Sequence, residues 1–573
     1  MRVHWAAQLL GLLLCAIPLG AEGPAPALSH RWVFLPQNLL LDPEVAAVKG
    51  ILTRARAAGY NGAVLHDTKL CALDLLGGNR ERYLRNLEEV RRTAAGLGLT
   101  LVSSLANPGS ATPLLAHAPD LAEGIPVRDV PYRVRRNLAL PETAPGPQLA
   151  NPGFDQGEGN RLQGFLAQDG AGTGSFLDPL VRRSGRASLR MERFGEVNPP
   201  HAMVRVAQKV PLQPWRQYRL SAWIRTEGVD RPGAIQMLVK GSDGRELAWA
   251  DTRARKDQPW TLAETIFPSL DQTEATLYFG VWGAHQGKVW WSDASLEDAG
   301  LVNVIRRPAC PFLVRGEGGR SYVEGVDYQV FQDSFLGSQP YAGAFGIAQG
   351  SPPLVLTPGS RIRDGERLLL SGYVAKVIGA GQVAACLGED SFFDLIAGEV
   401  ESQATLLHPA GFLLGHDEIR VIGQDPPCRG EAPGKLLARN IRRCADIVRK
   451  KSPKALVCVW SDMFSPTQNA HGGYYLAAGD LTGSWEGLSG DMLILNWDWA
   501  NPRQGAAFFA GLGCGQVLAG YYDRDPGFIR EWLNQVRGIP GILGVMYTTF
   551  EDRYEDLEAF AQAAWGPPIS AAR

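Results

Sequence analysis

The 573-residue chain carries no basic excess: 57 Lys and Arg stand against 59 Asp and Glu, a formal charge of −2, without a long run of either sign. Phosphate recognition needs clustered cations, so nucleic acid is excluded as a partner and neutral ligands fit better. Past the N-terminus no apolar stretch reaches the roughly 20 residues that span a bilayer, so no membrane span is expected. The eight cysteines are dispersed and form no CxxC pair, which speaks against both a disulfide framework and a zinc site. They read instead as small buried hydrophobes, with one or two bridges left open. No Gly-rich phosphate loop follows a predicted strand, no Gly-x-Ser-x-Gly elbow occurs, and no His-x-x-x-His pair suggests a metal. Nucleotide binding, esterase chemistry and histidine-bound metal catalysis lose their usual signatures.

What is present begins with a signal peptide: Arg2, an apolar run from Trp5 to Ala16, and small residues at Gly20 and Ala21. This pattern predicts removal of residues 1–21 and a secreted or periplasmic protein. The remaining length suits two or three domains. Residues 28–125 alternate strand and helix. Short apolar runs at Trp32 to Gln37, Gly62 to His66 and Thr100 to Ser104 are separated by helical stripes such as Val45, Val48, Leu52 and Ala55. Such alternation implies parallel strands with right-handed crossovers.

The pattern stops at a Pro-rich linker, Pro141 to Gln148. Over residues 149–300 the apolar period becomes two, as in Tyr218, Leu220, Ala222 and Ile224, which predicts an antiparallel β-sandwich. Residues 301–375 read as a β-rich connecting subdomain. Alternation resumes over residues 376–568, with a helix at Ser391 to Leu407 and another at Pro433 to Lys450. Strands follow the same rule at Phe412 to His416, Ala455 to Trp460, Met492 to Asn496, Gln516 to Gly520 and Ile542 to Tyr547. Three parallel strands before the insertion and five after it predict a (β/α)₈ barrel interrupted after its third strand by a jelly-roll sandwich. A doubly wound open sheet is the alternative topology.

Barrel chemistry sits at the carboxyl ends of the strands. Those positions hold His66, Asp67 and Lys69 after strand two, His416, Asp417 and Glu418 after strand four, and Trp460 and Asp462 after strand five. Strand six supplies Asn496, Trp497 and Asp498, strand seven Tyr521 and Tyr522, and strand eight Glu551. Carboxylates interleaved with Trp and Tyr suit a sugar, whose C–H face stacks on a ring while its hydroxyls need polar partners. Glycoside cleavage needs one carboxyl group to protonate the leaving oxygen and a second group to stabilise the cation-like carbon, and the adjacent Asp417 and Glu418 offer such a pair.

The run Leu414-Gly415-His416-Asp417-Glu418 resembles the Gly-Gly/His-Asp-Glu signature on strand four of family 20 glycoside hydrolases, the β-N-acetylhexosaminidases and their distant relatives. Trp460-Ser461-Asp462-Met463 is similar to the end of strand five in that family. The resemblance implies that Glu418 is the general acid and base. It also implies that Asp417 orients a substrate 2-acetamido group, whose carbonyl attacks the anomeric carbon without an enzyme nucleophile or cofactor. The substrate would be a β-linked glycan or N-acetylhexosaminide; a non-catalytic glycan-binding protein with a degenerate barrel is the competing class. Departures fall at sugar-contact positions: Leu413 replaces the motif histidine, strand one ends without arginine, and Asn496-Trp497-Asp498 and Thr549-Phe550-Glu551 stand where Tyr-x-Asp and Trp-x-Glu are usual.

In the insertion, Asn151-Pro152-Gly153-Phe154-Asp155, the turn Ser184 to Leu189 and Trp290-Trp291-Ser292-Asp293 resemble carbohydrate-binding modules of the family 4 and 9 type. That likeness implies a structural Ca²⁺ with Asp293 as a ligand. Trp215, Trp223, Trp260 and Trp282 read equally well as core or as a sugar platform.

Overall fold

The computed structural model describes residues 28–142, 146–199 and 201–566. The signal sequence expected at residues 1–21 lies outside the described residues. No helix among the described residues is long and apolar enough to cross a membrane.

Eight parallel strands close into a barrel: β1 His30–Pro36, β2 Gly62–His66, β3 Thr100–Ser104, β4 Gly411–Leu413, β5 Leu456–Trp460, β6 Met492–Asn496, β7 Gly515–Tyr521 and β8 Ile542–Thr548. Closure comes from β8 pairing with β1, with Trp32 beside Met546 and Val33 beside Tyr547. Inward side chains fill the barrel, among them Trp32, Phe34, Val64, Leu413, Cys458 and Leu495. Outward residues of the same strands, such as Val33, Leu35, Leu65 and Leu518, pack on the surrounding helices. This two-sided burial is why parallel strands read as continuous apolar runs rather than alternating ones.

The insertion is nested. The chain leaves the barrel after β3, and its strands Gly124–Arg135 and Leu138–Pro141 join an antiparallel sheet with Arg367–Ala375 from the far side of the sandwich. Asp129 and Pro131 break the period in the first of these strands, so sequence patterning passes over it. The connecting sheet has its own core, including Tyr132, Val134, Tyr322, Tyr328, Leu368 and Leu370. Within it sits the sandwich, two five-stranded sheets with central strands Lys288–Asp298 and Glu274–Trp282. Their facing sides bury Ile224, Phe279, Trp291 and Phe154. All seven described cysteines are buried and unbridged.

The fourth barrel strand is shorter than the run Phe412 to His416 suggests. It ends at Leu413, because Gly415 and His416 turn left-handed with φ of 69° and 63° and Glu418 follows at 51°. Non-glycine residues in this region cost of order 1–3 kcal/mol each and persist where surrounding contacts over-determine them. Here they lift the Asp417–Glu418 segment over the barrel mouth.

Candidate functional site

The mouth holds a cleft of about 410 Å³ at the carboxyl ends of the strands. Its apolar wall is aromatic. Phe34 meets Trp460 edge-on at 5.7 Å and Phe550 at 5.3 Å, while Tyr522 lies 5.9 Å from Phe550 and 6.2 Å from Trp497. The polar lining is His66, Ser104, Asn107, Gln382, Asp417 and Glu418, with the His66 ring 5.7 Å from Phe34. His66 Nδ1 lies 2.9 Å from Ser104 Oγ, and burial holds its pKa below the ordinary imidazole value although the Asp67 charge opposes this.

Asp417 and Glu418 both line the cleft but have different partners. Asn107 Nδ2 donates to Asp417 Oδ1 at 2.8 Å. Burial pushes the Asp417 carboxyl well above the usual carboxylate range, and the charges of Asp462 and Glu418 add to the rise. Glu418 Oε1 forms an ion pair with Arg420 Nη2 at 2.8 Å, and its backbone N–H donates to Asp462 Oδ2 at 2.9 Å. Arg420 is positioned in turn by Gln382 and by the Tyr475 ring, 5.3 Å away.

Asp462 sits behind the pair, fully buried. Its Oδ2 also accepts from Asn469 Nδ2 at 2.8 Å, while its Oδ1 finds no donor. Burial and the Glu418 charge push its pKa up to about 7, against the hydrogen bonds that favour the anion. The same three carboxyl groups, after burial, raise the Tyr522 phenol well above its ordinary value. Asp417 and Asp462 thus form a coupled pair in which a proton is retained well above the usual carboxylate range.

The mouth brings His66, Asp417, Glu418, Trp460, Trp497 and Tyr522 together, with Asp462 directly behind. Other strand-end residues are engaged elsewhere. Asp67 lies at the cleft edge, but its carboxylate accepts from the backbone N–H groups of Leu39 and Lys69 and from the Tyr83 hydroxyl. Lys69 is outside the cleft lining. His416 is buried, its ring nitrogens at 2.8 Å from the Leu414 carbonyl and the Asn440 amide. Asn496 pairs with Gln516, and Asp498 accepts from Thr467 and from the Asn501 backbone. Tyr521 turns outward to stack on Tyr547 at 4.2 Å, and Glu551 pairs with Arg553 at the surface.

Sequence reasoning missed Phe34, Asn107, Gln382, Arg420 and Phe550. The strand-end rule extends to Asn107, three residues past β3, and to Phe550 after β8. Arg420 is marked only by its spacing of two from Glu418. Gln382 comes from the segment re-entering the barrel, which no strand-end rule reaches.

Gly109 packs beneath the acidic segment. A Cβ there would fall on the Asp417 carbonyl oxygen and reach the Glu418 carbonyl carbon at 3.0 Å. Gly109→Ala is expected to cost about 1–3 kcal/mol in stability. Thermal melting of the variant beside the parent protein checks this.

In the sandwich, the Asp293 carboxylate accepts from Arg183 Nη1 at 2.7 Å, from the Ser184 hydroxyl and from Ser292 Oγ. Its partners are thus a guanidinium and hydroxyls, and among the described residues no group of three ionisable ligand residues gathers about it. The Arg183 guanidinium also covers the Trp223 ring at 3.8 Å, and Arg128 covers Trp215 at 4.1 Å. Trp215, Trp223, Trp260 and Trp282 are half-buried, unlike the core residues Trp290 and Trp291.

Among known proteins, no family model and no curated protein matches this chain. Several solved structures show partial likeness. A glycoside hydrolase family 20 β-N-acetylglucosaminidase aligns over 95% of this chain and 70% of its own, at 11% identity and a TM-score of 0.35. TmCBM61, solved with β-1,4-galactotriose, aligns over 26% of this chain and 97% of its own, at 18% identity and a TM-score of 0.21. The CBM22-1 xylan-binding domain of Xyn10C from Paenibacillus barcinonensis aligns over 27% and 97%, at 12% identity and a TM-score of 0.20.

Proposed function

We propose that the protein is an exported glycoside hydrolase that cleaves a β-linked glycan or N-acetylhexosaminide in the barrel mouth, with Asp417 and Glu418 as its working carboxyl pair. The observation that carries this reading is the cleft itself. Two adjacent carboxyl groups in unlike electrostatic settings face a wall of indole, phenol and phenyl rings. Carboxyl groups held in unlike environments divide naturally into a proton donor and a charged partner.

The division of labour follows the contacts. Asp417, desolvated and crowded by Asp462, keeps its proton above the usual carboxylate range and donates it to the leaving oxygen. Glu418, paired with Arg420, is the charged group that stabilises positive charge developing at the anomeric carbon, as nucleophile or through a water. This reverses the roles that the family 20 resemblance implies. Orienting an acetamido N–H calls for a charged Asp417, and proton donation by Glu418 calls for an acid free of its guanidinium. Asn107 and His66 lie where sugar hydroxyls need polar partners, and Trp460 and Trp497 offer ring faces.

Hydrolysis of a panel of aryl β-glycosides, including N-acetyl-β-glucosaminides and β-galactosides, tests the assignment. Turnover on at least one supports it, and glycan binding without turnover on any supports a binding protein with a degenerate barrel instead. On a cleaved substrate, Trp497→Ala should raise KM roughly 5- to 30-fold, about 1–2 kcal/mol of lost ring contact, with kcat changed much less. An unchanged KM would remove Trp497 from the sugar-binding wall.

A further inference from the structure

A second cluster of ionisable side chains lies at the neck of the insertion, apart from the cleft. The chain leaving the barrel and the chain returning to it run antiparallel here: Cys386 N donates to the Leu121 carbonyl at 2.8 Å and Glu123 N to the Ala384 carbonyl at 2.8 Å. Asp425 and Cys428, from the loop that also carries Asp417 and Glu418, close the group. One ligand-type atom from each of Glu123, Cys386, Asp425 and Cys428 lies within 4.8 Å of all the others, and all four residues are buried.

Three edges inside this group are close to those of a coordination shell. Cys386 Sγ is 3.4 Å from Cys428 Sγ and 3.4 Å from Asp425 Oδ1, and Cys428 Sγ is 3.5 Å from Glu123 Oε2. A tetrahedral ion with bonds of about 2.3 Å to sulfur and 2.0–2.2 Å to oxygen sets ligand–ligand edges of roughly 3.3–3.8 Å.

The remaining oxygens are occupied in the manner of second-layer support. Glu123 Oε1 accepts from the backbone N–H groups of Gln424 at 2.6 Å and Asp425 at 3.3 Å. Asp425 Oδ2 accepts from Gly124 N at 3.2 Å and from the Arg307 guanidinium. Each carboxylate is therefore fixed by one oxygen and turns the other toward the sulfurs, as orienting partners do for metal-bound ligands.

We propose that Glu123, Cys386, Asp425 and Cys428 form a buried structural site for one divalent ion of the zinc class. Two soft sulfur donors disfavour Ca²⁺ and Mg²⁺, and four protein ligands leave no open position for catalysis. The ion would fasten the neck to the loop bearing the acidic pair. Linear spacing hides this site: Cys386 and Cys428 are 42 residues apart and belong to no CxxC motif, so only folding assembles it.

The test uses the full mature chain. It is stripped with a chelator under reducing conditions and titrated with Zn²⁺, or with Co²⁺ as a spectroscopic probe. One equivalent is expected to bind, with Co²⁺ giving the near-ultraviolet charge-transfer band of cobalt–thiolate bonds, and Cys386→Ser and Cys428→Ser should each weaken that band. Should these variants fail to fold, zinc-edge X-ray absorption of the wild-type protein reads the same ligands, with sulfur at about 2.3 Å and oxygen at about 2.0–2.2 Å expected. Absence of stoichiometric binding, a zinc shell without sulfur, or peptide mapping that finds Cys386 and Cys428 bridged to each other in the native protein would overturn the site.

Discussion

Asp417→Asn is expected to lower kcat on a glycoside with a poor leaving group by about 10²–10⁴-fold, the range that a positioned proton donor supplies. The substitution removes the transferable proton but keeps the side-chain oxygen that accepts from Asn107 Nδ2. Substrate affinity, read by calorimetry on an uncleaved analogue, should therefore change little. Glu418→Gln should cost turnover on a similar scale for a different reason. It dissolves the ion pair with Arg420 and leaves no full negative charge opposite the developing cation. Wild-type turnover in either variant would remove that residue from the chemistry. Loss of turnover together with all glycan affinity would point to collapse of the acidic loop rather than to a missing proton.

The second large effect concerns Asp462. Its pKa of about 7 in the fold, against 3.8 as the ordinary value, makes the native state bind more protons than the unfolded chain between about pH 4 and 7. Stability attached to this group is thus complete below pH 4 and is lost as pH rises through 7. A shift of about three units corresponds to on the order of 4 kcal/mol, shared with Asp417 because the two titrate as a pair. Asp462→Asn should accordingly melt higher than wild type at pH 8 and close to wild type at pH 4.

Activity should respond in the opposite sense. Without the Asp462 charge the Asp417 carboxyl gives up its proton more readily, so the basic limb of the kcat/KM profile should move to lower pH. A profile unmoved by the substitution would separate Asp462 from the proton held at Asp417. Stability sacrificed at working pH for a proton near the substrate is the usual sign of a functional carboxyl cluster.

Much of this architecture is legible in the sequence because barrel strands are buried on both faces and so appear as compact apolar runs between amphipathic helices. The nested connecting sheet is less legible. Its strand Gly124–Arg135 carries Asp129 with φ of 55° and Pro131, which interrupt the apolar period.

At the mouth, proximity to a strand end selected the right neighbourhood but not the right faces. Strand parity refines it. On β6 the interior residues Leu493 and Leu495 continue to Trp497, whereas Asn496 and Asp498 point away. On β2, Val64 continues to His66 and leaves Asp67 outside. Parity fails at β7 for a visible reason. Val517 and Ala519 face inward, but the left-handed turn of Tyr521, with φ of 76°, swings that ring out onto Tyr547 and places Tyr522 in the cleft instead. A backbone reversal of this kind, continued by Tyr522 and Asp523 at φ of 48° and 57°, leaves no periodic trace in the sequence. The partners Arg420 and Gln382, which decide how Asp417 and Glu418 differ, likewise come from loops whose paths are set only by tertiary packing.

The central claim is that Asp417, not Glu418, carries the proton delivered to the departing sugar. Leaving-group dependence reads this directly, because an activated aryl group departs without protonation whereas an alkyl or sugar alcohol does not. Measured across β-glycosides of graded leaving-group acidity, Asp417→Asn should approach wild-type rates on the most activated aryl substrate and fall furthest behind on the least, while Glu418→Gln stays uniformly impaired. The inverse pattern, with Glu418→Gln recovered by activated substrates and Asp417→Asn not, would contradict the assignment.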